Sequence, residues 1–298
     1  MTIIDEIKLS FRKGSYLIRL IYINLAVFII VGVVSVPFFL TETAFPVRQW
    51  FSLPSSIGSF ITHPWTIITY MFFHQGIFHI LFNLLWLYWF GRIFLEYFDQ
   101  RKLVSLYLLG GICGGFLYMT AYNLFPIFKP VVEGAMLLGA SASVIAIVIA
   151  VSYYAPNRSL HLVLIGPVKL KYIAVISVIL YILQIASTNS GGNIAHLGGA
   201  AWGLLWAWQV KQGKDISSGF EIFMDHVFTW FKPRKRNLKV TYRKKSPQKM
   251  KDWEYNASKS MQQKEINRIL DKIGKSGYES LSREEKDILF KMGRKNQK

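Results

Sequence analysis

Residues 20–40 read LIYINLAVFIIVGVVSVPFFL, a run that contains no charged side chain. A helix needs about 20 consecutive apolar residues to cross a bilayer, and in lipid only a helix or a closed barrel satisfies its own backbone polar groups. The basic residues before this run are scattered and are not followed by the small-residue cleavage site of a signal peptide. We therefore expect a first transmembrane helix here that is retained in the mature protein.

The composition of the whole chain is typical of a membrane protein. Of 298 residues, 52% are hydrophobic and 17% are charged, which is too little charge to coat a soluble surface of this size. The net charge of +18 is concentrated towards the C-terminus, because residues 211–298 hold 23 basic and 11 acidic side chains. A single cysteine, Cys113, excludes an intramolecular disulfide and a zinc site made of cysteines.

Further apolar runs predict five more membrane-spanning helices. The first three of these cover about residues 70–98, 103–123 and 134–155, and the uncharged run at 172–210 makes two helices separated by a turn-rich cluster at 187–193. An interfacial loop is expected before the second span, where His63, Pro64 and Trp65 interrupt the apolar sequence. The sequence thus predicts an all-α, polytopic membrane protein with a six-helix bundle.

Basic residues in the short loops predict the orientation, because such loops stay on the cytoplasmic side. They precede span one and follow spans two, four and six, whereas the alternate loops have balanced charges or none. We expect a cell (inner) membrane protein with both termini in the cytoplasm. Four regions follow: a cytoplasmic N-terminal segment at 1–16, the membrane domain at 17–212, a basic juxtamembrane linker at 213–260 and a small helical module at 261–298.

The C-terminal tail differs in character from the rest of the chain. Residues 232–251 contain ten basic and no acidic side chains, which favours binding to anionic lipid headgroups at about 1 kcal/mol per well-placed residue. Nucleic acid is not the expected partner, since a high pI fits either partner and does not by itself favour it. Apolar residues at helical spacing, glycines at 274 and 277, and a capping box of Ser282 and Glu285 predict a helical hairpin. A docking module and a solvated tail remain open for it.

Polar residues within membrane spans are costly, and each is a candidate for function. His79 and Asn83 lie four residues apart on the second span and therefore share one helix face. Ser141 lies at the start of the fourth span and His196 at the start of the sixth. Gly199 and Gly203 on one helix and Ala142 and Ala146 on the other form small-residue ridges. If these ridges pack together, Ser141 and His196 meet.

Such a meeting would allow nucleophilic catalysis. An imidazole can take the proton of a serine hydroxyl and later protonate a leaving amine, so Ser141 is the candidate nucleophile and His196 the candidate base. His79, Asn83 and the backbone N–H of Ser141 are candidate donors to an oxyanion. No carboxylate lies near these residues in the sequence, which favours a dyad over a triad.

Simpler interpretations of each residue stay open on the residues alone. A serine near a helix start can be a capping or packing residue, and a buried histidine can bind a backbone carbonyl. A metal site made of the histidines is disfavoured, because the HExxH pattern is absent and no carboxylate accompanies them. We expect no metal and no cofactor.

Three motifs on spans two, four and six resemble those of the rhomboid family of intramembrane serine proteases. They are His74-Gln75-Gly76-Ile77-Phe78-His79-Ile80-Leu81-Phe82-Asn83, Gly139-Ala140-Ser141-Ala142 and Ala195-His196-Leu197-Gly198-Gly199 with Gly203. The resemblance covers about residues 15–212. It implies a six-helix fold in which Ser141 and His196 form a dyad that cleaves transmembrane proteins from the outer side, with His79 and Asn83 lining the oxyanion hole.

The sequence departs from the family pattern at two positions. The family often has Trp-Arg in the first outer loop, where this chain has Trp65-Thr66, so the loop must be secured differently. Many members also have a tyrosine four residues after the serine, stacked on the histidine, where this chain has Ile145. On this basis we expect His196 to be held less rigidly.

The predicted function is that of a serine endopeptidase of the rhomboid type, acting on peptide bonds in or near transmembrane segments. The alternative is a rhomboid-like scaffold that binds transmembrane clients without cutting them, and a channel or transporter is disfavoured because no repeat is visible.

Overall fold

The computed structural model describes residues 2–162, 165–231 and 252–295. The chain divides into two compact units, Met1–Pro233 and Arg234–Lys298, and each unit is described by itself. The basic stretch at 232–251, for which headgroup binding is predicted, lies outside the described residues.

The first unit is mainly helical. Its helices are α1 (Ile3–Lys13), α2 (Tyr16–Leu40), α3 (Val47–Phe51), α4 (Ile57–Thr62), α5 (Thr66–Thr69), α6 (Ile77–Leu95), α7 (Gln100–Leu124), α8 (Ser141–Tyr154), α9 (Leu170–Leu183), α10 (Ser190–Lys211) and α11 (Ser218–Phe231). Two antiparallel strand pairs accompany them: β1 (Leu53–Pro54) with β2 (Met136–Leu137), and β3 (Ser159–Leu162) with β4 (Gly166–Lys169). Helix α11 lies inside the stretch predicted to be a linker.

The structure is that of a membrane protein, although the predicted count of six spans is not shown by it. Helices α2, α6 and α7 are long and apolar enough to cross a membrane. Their exposed residues include large apolar side chains such as Val33 at 66% and Phe39 at 82% exposure, which lipid accommodates and water does not. Helices α8 and α9 are apolar but contain 14 residues each, and α10 has 22 residues with five glycines.

Two helices begin later than predicted, and for the second of them, α8, a glycine conformation gives the reason. The second predicted span was to begin near residue 70, but α6 begins at Ile77, after a short 3-10 segment at Tyr70–Phe72 and an extended Gly76. The fourth was to begin at residue 134, but α8 begins at Ser141. Before it, β2 pairs with β1, and Gly139 has φ +117°, a conformation that a helix cannot include.

Helices α7, α8 and α10 pack closely through small residues. A Cβ atom added at Gly199 would overlap the carbonyl oxygen of Ala142, and one added at Gly203 would overlap that of Ala146. The predicted contact between these two ridges is therefore confirmed. Helix α7 approaches on another side, where an added Cβ at Gly114 would lie 2.7 Å from both the Ala142 side chain and the Ala195 carbonyl oxygen. Glycine at these positions lets backbones approach more closely than larger side chains permit.

Hydrogen bonds to backbone carbonyls secure the loop at Trp65-Thr66. Thr66 is fully buried and its hydroxyl donates to the His63 carbonyl oxygen at 2.6 Å. The Trp65 indole N–H donates to the Trp50 carbonyl oxygen at 2.8 Å, and the Thr69 hydroxyl donates to that of Phe51 at 2.8 Å. These bonds fix the loop without the arginine that the family often has.

The second unit contains α12 (Asp252–Ser276) and α13 (Arg283–Lys295), separated by a 3-10 segment at Tyr278–Ser280. Helix α12 continues through Gly274, which was expected to stop it, and ends before Gly277, which has φ +76°. The predicted capping box is present, because Glu285 N–H donates to the Ser282 hydroxyl and Ser282 N–H donates to the Glu285 carboxylate. The Lys272 ammonium donates to the same carboxylate at 2.9 Å.

Candidate active site

Ser141 is the first residue of α8, and the chain before it is fixed by a conformation that favours glycine. Gly139 has φ +117°, and its N–H donates to the Tyr70 carbonyl oxygen at 2.9 Å. The first N–H groups of a helix have no partner within the helix, and the helix dipole makes this end electropositive. The Ser141 hydroxyl therefore lies beside N–H groups that can bind a negatively charged oxygen.

His196 lies on α10 and reaches this serine. Its Nε2 atom is 2.6 Å from the Ser141 Oγ atom, within hydrogen-bond distance. The two residues are 55 positions apart in sequence, and the close packing of α8 against α10 through Gly199 and Gly203 brings them together. A serine hydroxyl bonded to an imidazole is the arrangement that nucleophilic catalysis requires.

The other ring nitrogen of His196 has no orienting partner in the part of the chain that the structure describes. Its Nδ1 atom is buried and neither accepts nor donates a hydrogen bond there. No carboxylate therefore completes a triad among the described residues. The ring must be held by packing.

An aromatic ring supplies that packing, from a residue that the sequence reasoning missed. The Tyr181 ring on α9 lies with its centroid 4.4 Å from that of His196, at an interplanar angle of 59°. Ile145 occupies the position where many rhomboids have the stacking tyrosine, so the sequence predicts a loosely held histidine. In the structure, a tyrosine from another helix lies against the His196 ring instead. No local pattern marks Tyr181, since its position follows only from how α9 packs.

His79 and Asn83, both on α6, line the same cavity as Ser141. A Cβ atom added at Gly139 would lie 2.8 Å from His79 Nε2 and 3.7 Å from Ser141 Oγ, so the imidazole and the hydroxyl flank one glycine. The Asn83 side-chain amide donates one hydrogen to the His79 carbonyl oxygen at 2.8 Å. Its second N–H is left for another acceptor.

A cavity of about 330 Å³ joins these residues. Its lining residues come from α6, α8 and α9. The lining residues are Phe78, His79, Phe82, Asn83, Trp86, Ser141, Val144, Ile145 and Tyr181. The walls are mainly apolar and aromatic, and the hydroxyl, imidazole and amide groups converge at Ser141, as in sites that bind an apolar chain and act on one bond.

His74 has a supporting position that the sequence motif did not predict. Its Nε2 atom accepts a hydrogen bond from the Ala140 N–H at 3.5 Å, and its ring lies 5.2 Å from that of His79. His74 thus contacts both the turn before Ser141 and a candidate oxyanion donor. Within the described ranges, no three His, Cys, Asp or Glu side chains are grouped to hold a metal ion.

Comparison with known proteins gives two family matches and one relative. A family model described as "Rhomboid domain" matches residues 62–213, and one described as "Family of unknown function (DUF6576)" matches residues 249–295. The relative is RHOMBOID-like protein 12, mitochondrial, from Arabidopsis thaliana, at 32% identity over 159 residues. The match covers 50% of this chain and 47% of the relative, so the chain spans about half the length of that protein.

Proposed function

Because the chain belongs to the rhomboid family, we propose that it is an intramembrane serine endopeptidase that hydrolyses peptide bonds in or near transmembrane segments. The observation that carries the proposal is the 2.6 Å contact between Ser141 Oγ and His196 Nε2. Ser141 also lines a largely apolar cavity of about 330 Å³. The proposed substrates are transmembrane proteins.

In the proposed reaction, Ser141 Oγ attacks the carbonyl carbon of the scissile bond while its proton moves to His196 Nε2. The negative charge that develops on the carbonyl oxygen would be bound by the Ser141 backbone N–H, the His79 imidazole and the second N–H of the Asn83 amide. The intermediate collapses when the C–N bond breaks and the leaving nitrogen takes the proton from His196. Water then attacks the carbonyl carbon of the acyl-enzyme while His196 takes its proton. The ester bond breaks, and Ser141 Oγ recovers the proton from His196.

The geometry of an α-helix supports a substrate that has left its helical conformation. A peptide bond inside a helix is surrounded by side chains and its carbonyl is hydrogen bonded, so Ser141 cannot reach it. Segments with small or helix-breaking residues unwind at least cost. We therefore propose that cleavage occurs at such residues near a membrane surface, with the substrate chain entering the cavity between α6 and α9.

For the arrangement in the membrane we propose six spans, formed by α2, α6, α7, α8, α9 and α10, with both termini in the cytoplasm of the cell. Support comes from the basic residues in alternate loops. The name of the Arabidopsis relative places that protein in mitochondria. For residues 232–251 we propose binding to anionic headgroups, on the basis of ten basic side chains without an acidic one.

The proposal is tested by labelling the full-length protein, in a bilayer or mild detergent, with a fluorophosphonate probe. We expect wild type to be labelled and Ser141→Ala and His196→Ala to be unlabelled. Ser143→Ala is the matched control, because Ser143 lies two residues along the same helix, is fully buried and does not line the cavity. It should be labelled like wild type.

The absence of labelling in wild type would overturn the proposed protease activity. If folded wild type is not labelled, while a characterised serine protease in the same bilayer is, the Ser141–His196 pair does not act as a nucleophile. The protein would then be a rhomboid-like scaffold that binds transmembrane clients.

A further inference from the structure

One aromatic contact at the site has no counterpart in the motifs of the sequence. His196 uses Nε2 to contact Ser141, and Nδ1 has no hydrogen-bond partner among the residues that the structure describes. A dyad histidine without an orienting hydrogen bond can rotate about its side-chain torsions, which would move Nε2 away from the hydroxyl. The Tyr181 ring, 4.4 Å away at 59°, lies against the imidazole and blocks that rotation.

Helix α9 holds Tyr181 in this position through one buried face. Leu170, Ile173 and Ser177 are at most 8% exposed, and Tyr181 follows Ser177 by four residues, so it lies on the same face. Tyr172, by contrast, precedes Ile173 by one position, lies on a different side of α9 and is 53% exposed. The inward face packs against α8 and α10, which carry Ser141 and His196.

The position four residues after Ser141 cannot supply the ring. Ile145 occupies it, is 3% exposed, and lines the same cavity as Tyr181. Its branched aliphatic side chain has no aromatic face for the imidazole. Aromatic rings prefer tilted or offset contacts at centroid separations of about 4.5–7 Å, and the Tyr181–His196 pair, at 4.4 Å, is slightly closer than that range.

We propose that Tyr181 is the residue that positions His196, so that in this chain α9 supplies the support of the catalytic base. This inference rests on the proposed function. Tyr181 contacts the base and is not itself assigned a proton transfer. The ring is the required part of the side chain, and its hydroxyl is dispensable.

The test compares Tyr181→Leu, Tyr181→Phe and wild type by the kinetics of fluorophosphonate labelling, separating the maximal labelling rate from the half-saturating probe concentration. We expect Tyr181→Leu to lower the maximal rate about ten- to a hundredfold, because a misplacement of about 1 Å costs on that order. The half-saturating concentration should change little. Tyr181→Phe keeps the ring and should label at the wild-type rate.

Two further variants separate positioning from loss of stability. Tyr172→Leu makes the same chemical change on the exposed side of α9 and should label like wild type. The double variant Tyr181→Leu with Ile145→Tyr places a ring in the same cavity from α8, and this ring should restore at least part of the labelling rate. If Tyr181→Leu acted only by lowering stability, the second change would not restore the rate.

The outcomes distinguish this inference from the proposed function. Equal maximal rates for wild type and folded Tyr181→Leu overturn the inference and leave the protease proposal intact. A fall in rate that Tyr181→Phe shares also overturns it, since the hydroxyl would then be the required group. A wild type that is not labelled overturns both.

Discussion

At the residue scale, the proposed oxyanion donors would act on charge only when it develops. Asn83 Nδ2 is already bonded to the His79 carbonyl oxygen at 2.8 Å, which fixes the amide and directs its second N–H. A donor held in this way needs no reorganisation during the reaction. Loss of the Asn83 amide would therefore lower the rate of bond cleavage much more than it weakens the binding of substrate.

We expect Asn83→Ala to lower the rate of peptide-bond cleavage about 10²-fold, a typical cost of losing one oxyanion donor. The measurement is cleavage of a transmembrane model substrate in proteoliposomes, with the maximal rate and the half-saturating substrate fraction determined separately. Unchanged cleavage by a folded variant would remove Asn83 from the proposed site.

Glycine at 199 is a second residue on which the site depends, because any Cβ there overlaps the Ala142 carbonyl oxygen. We expect Gly199→Ala to separate α8 from α10 and to destabilise the protein by about 1–3 kcal/mol, the usual cost of overpacking. The measurement is the thermal unfolding midpoint of the full chain in detergent. Gly32→Ala is the matched control, since an added Cβ at Gly32 in α2 meets nothing within 4 Å. Equal midpoints for the two variants would contradict the packing described here.

At the scale of elements, the residue at which a helix begins determines which side chains it brings to the candidate site. Hydropathy predicted which stretches are helical, because a run of apolar residues is a property of neighbouring amino acids. It did not predict that α8 begins at Ser141, because that start depends on the pairing of β1 with β2, two strands that lie far apart in the sequence. The motif residues Ser141, His196, His79 and Asn83 were all named from the sequence as candidates, and their catalytic roles stay predictions. Tyr181 was not, since its role follows from the packing of α9 against α10.

The pair α12 and α13 is joined by one carboxylate. Bonds from Lys272 and from the Ser282 N–H lower the pKa of Glu285 from its ordinary value. A glutamate whose pKa is lower in the folded state stabilises that state at pH values above the unfolded pKa of about 4.3, and this contribution is lost as the pH falls through the folded value.

We therefore expect Glu285→Gln to increase hydrogen exchange in α13 of the full chain at pH 7, and to have no effect below the folded pKa. The exchange rates are corrected for their intrinsic dependence on pH. Glu284→Gln is the control, because Glu284 is exposed and precedes Glu285 on the same helix. A difference between Glu285→Gln and wild type that persists at low pH would exclude this carboxylate as the cause.

At the scale of the whole molecule, the proposed orientation makes a prediction for each loop. The single native cysteine, Cys113, can be replaced by alanine, which gives a background for single cysteines placed elsewhere. We expect cysteines on one side of the membrane to react with an impermeant maleimide from outside intact cells; these are Thr43→Cys, Lys129→Cys and Thr188→Cys. Three others should react only after the membrane is opened, namely Lys8→Cys, Asn157→Cys and Lys214→Cys. One loop on the wrong side would exclude the six-span arrangement.

Helix α8 is short, and its length affects how water would reach Ser141. Residues 142–152 are buried by protein, so this helix has no need to match the thickness of the bilayer. Its 14 residues extend about 21 Å, against a hydrocarbon core of about 30 Å. In the proposed six-span arrangement, the shortfall would place Ser141 below the level of the headgroups, with the strand and turn before it in the remaining depth. Irregular backbone is tolerated there because protein surrounds it, and the resulting depression would be hydrated from one side of the membrane only.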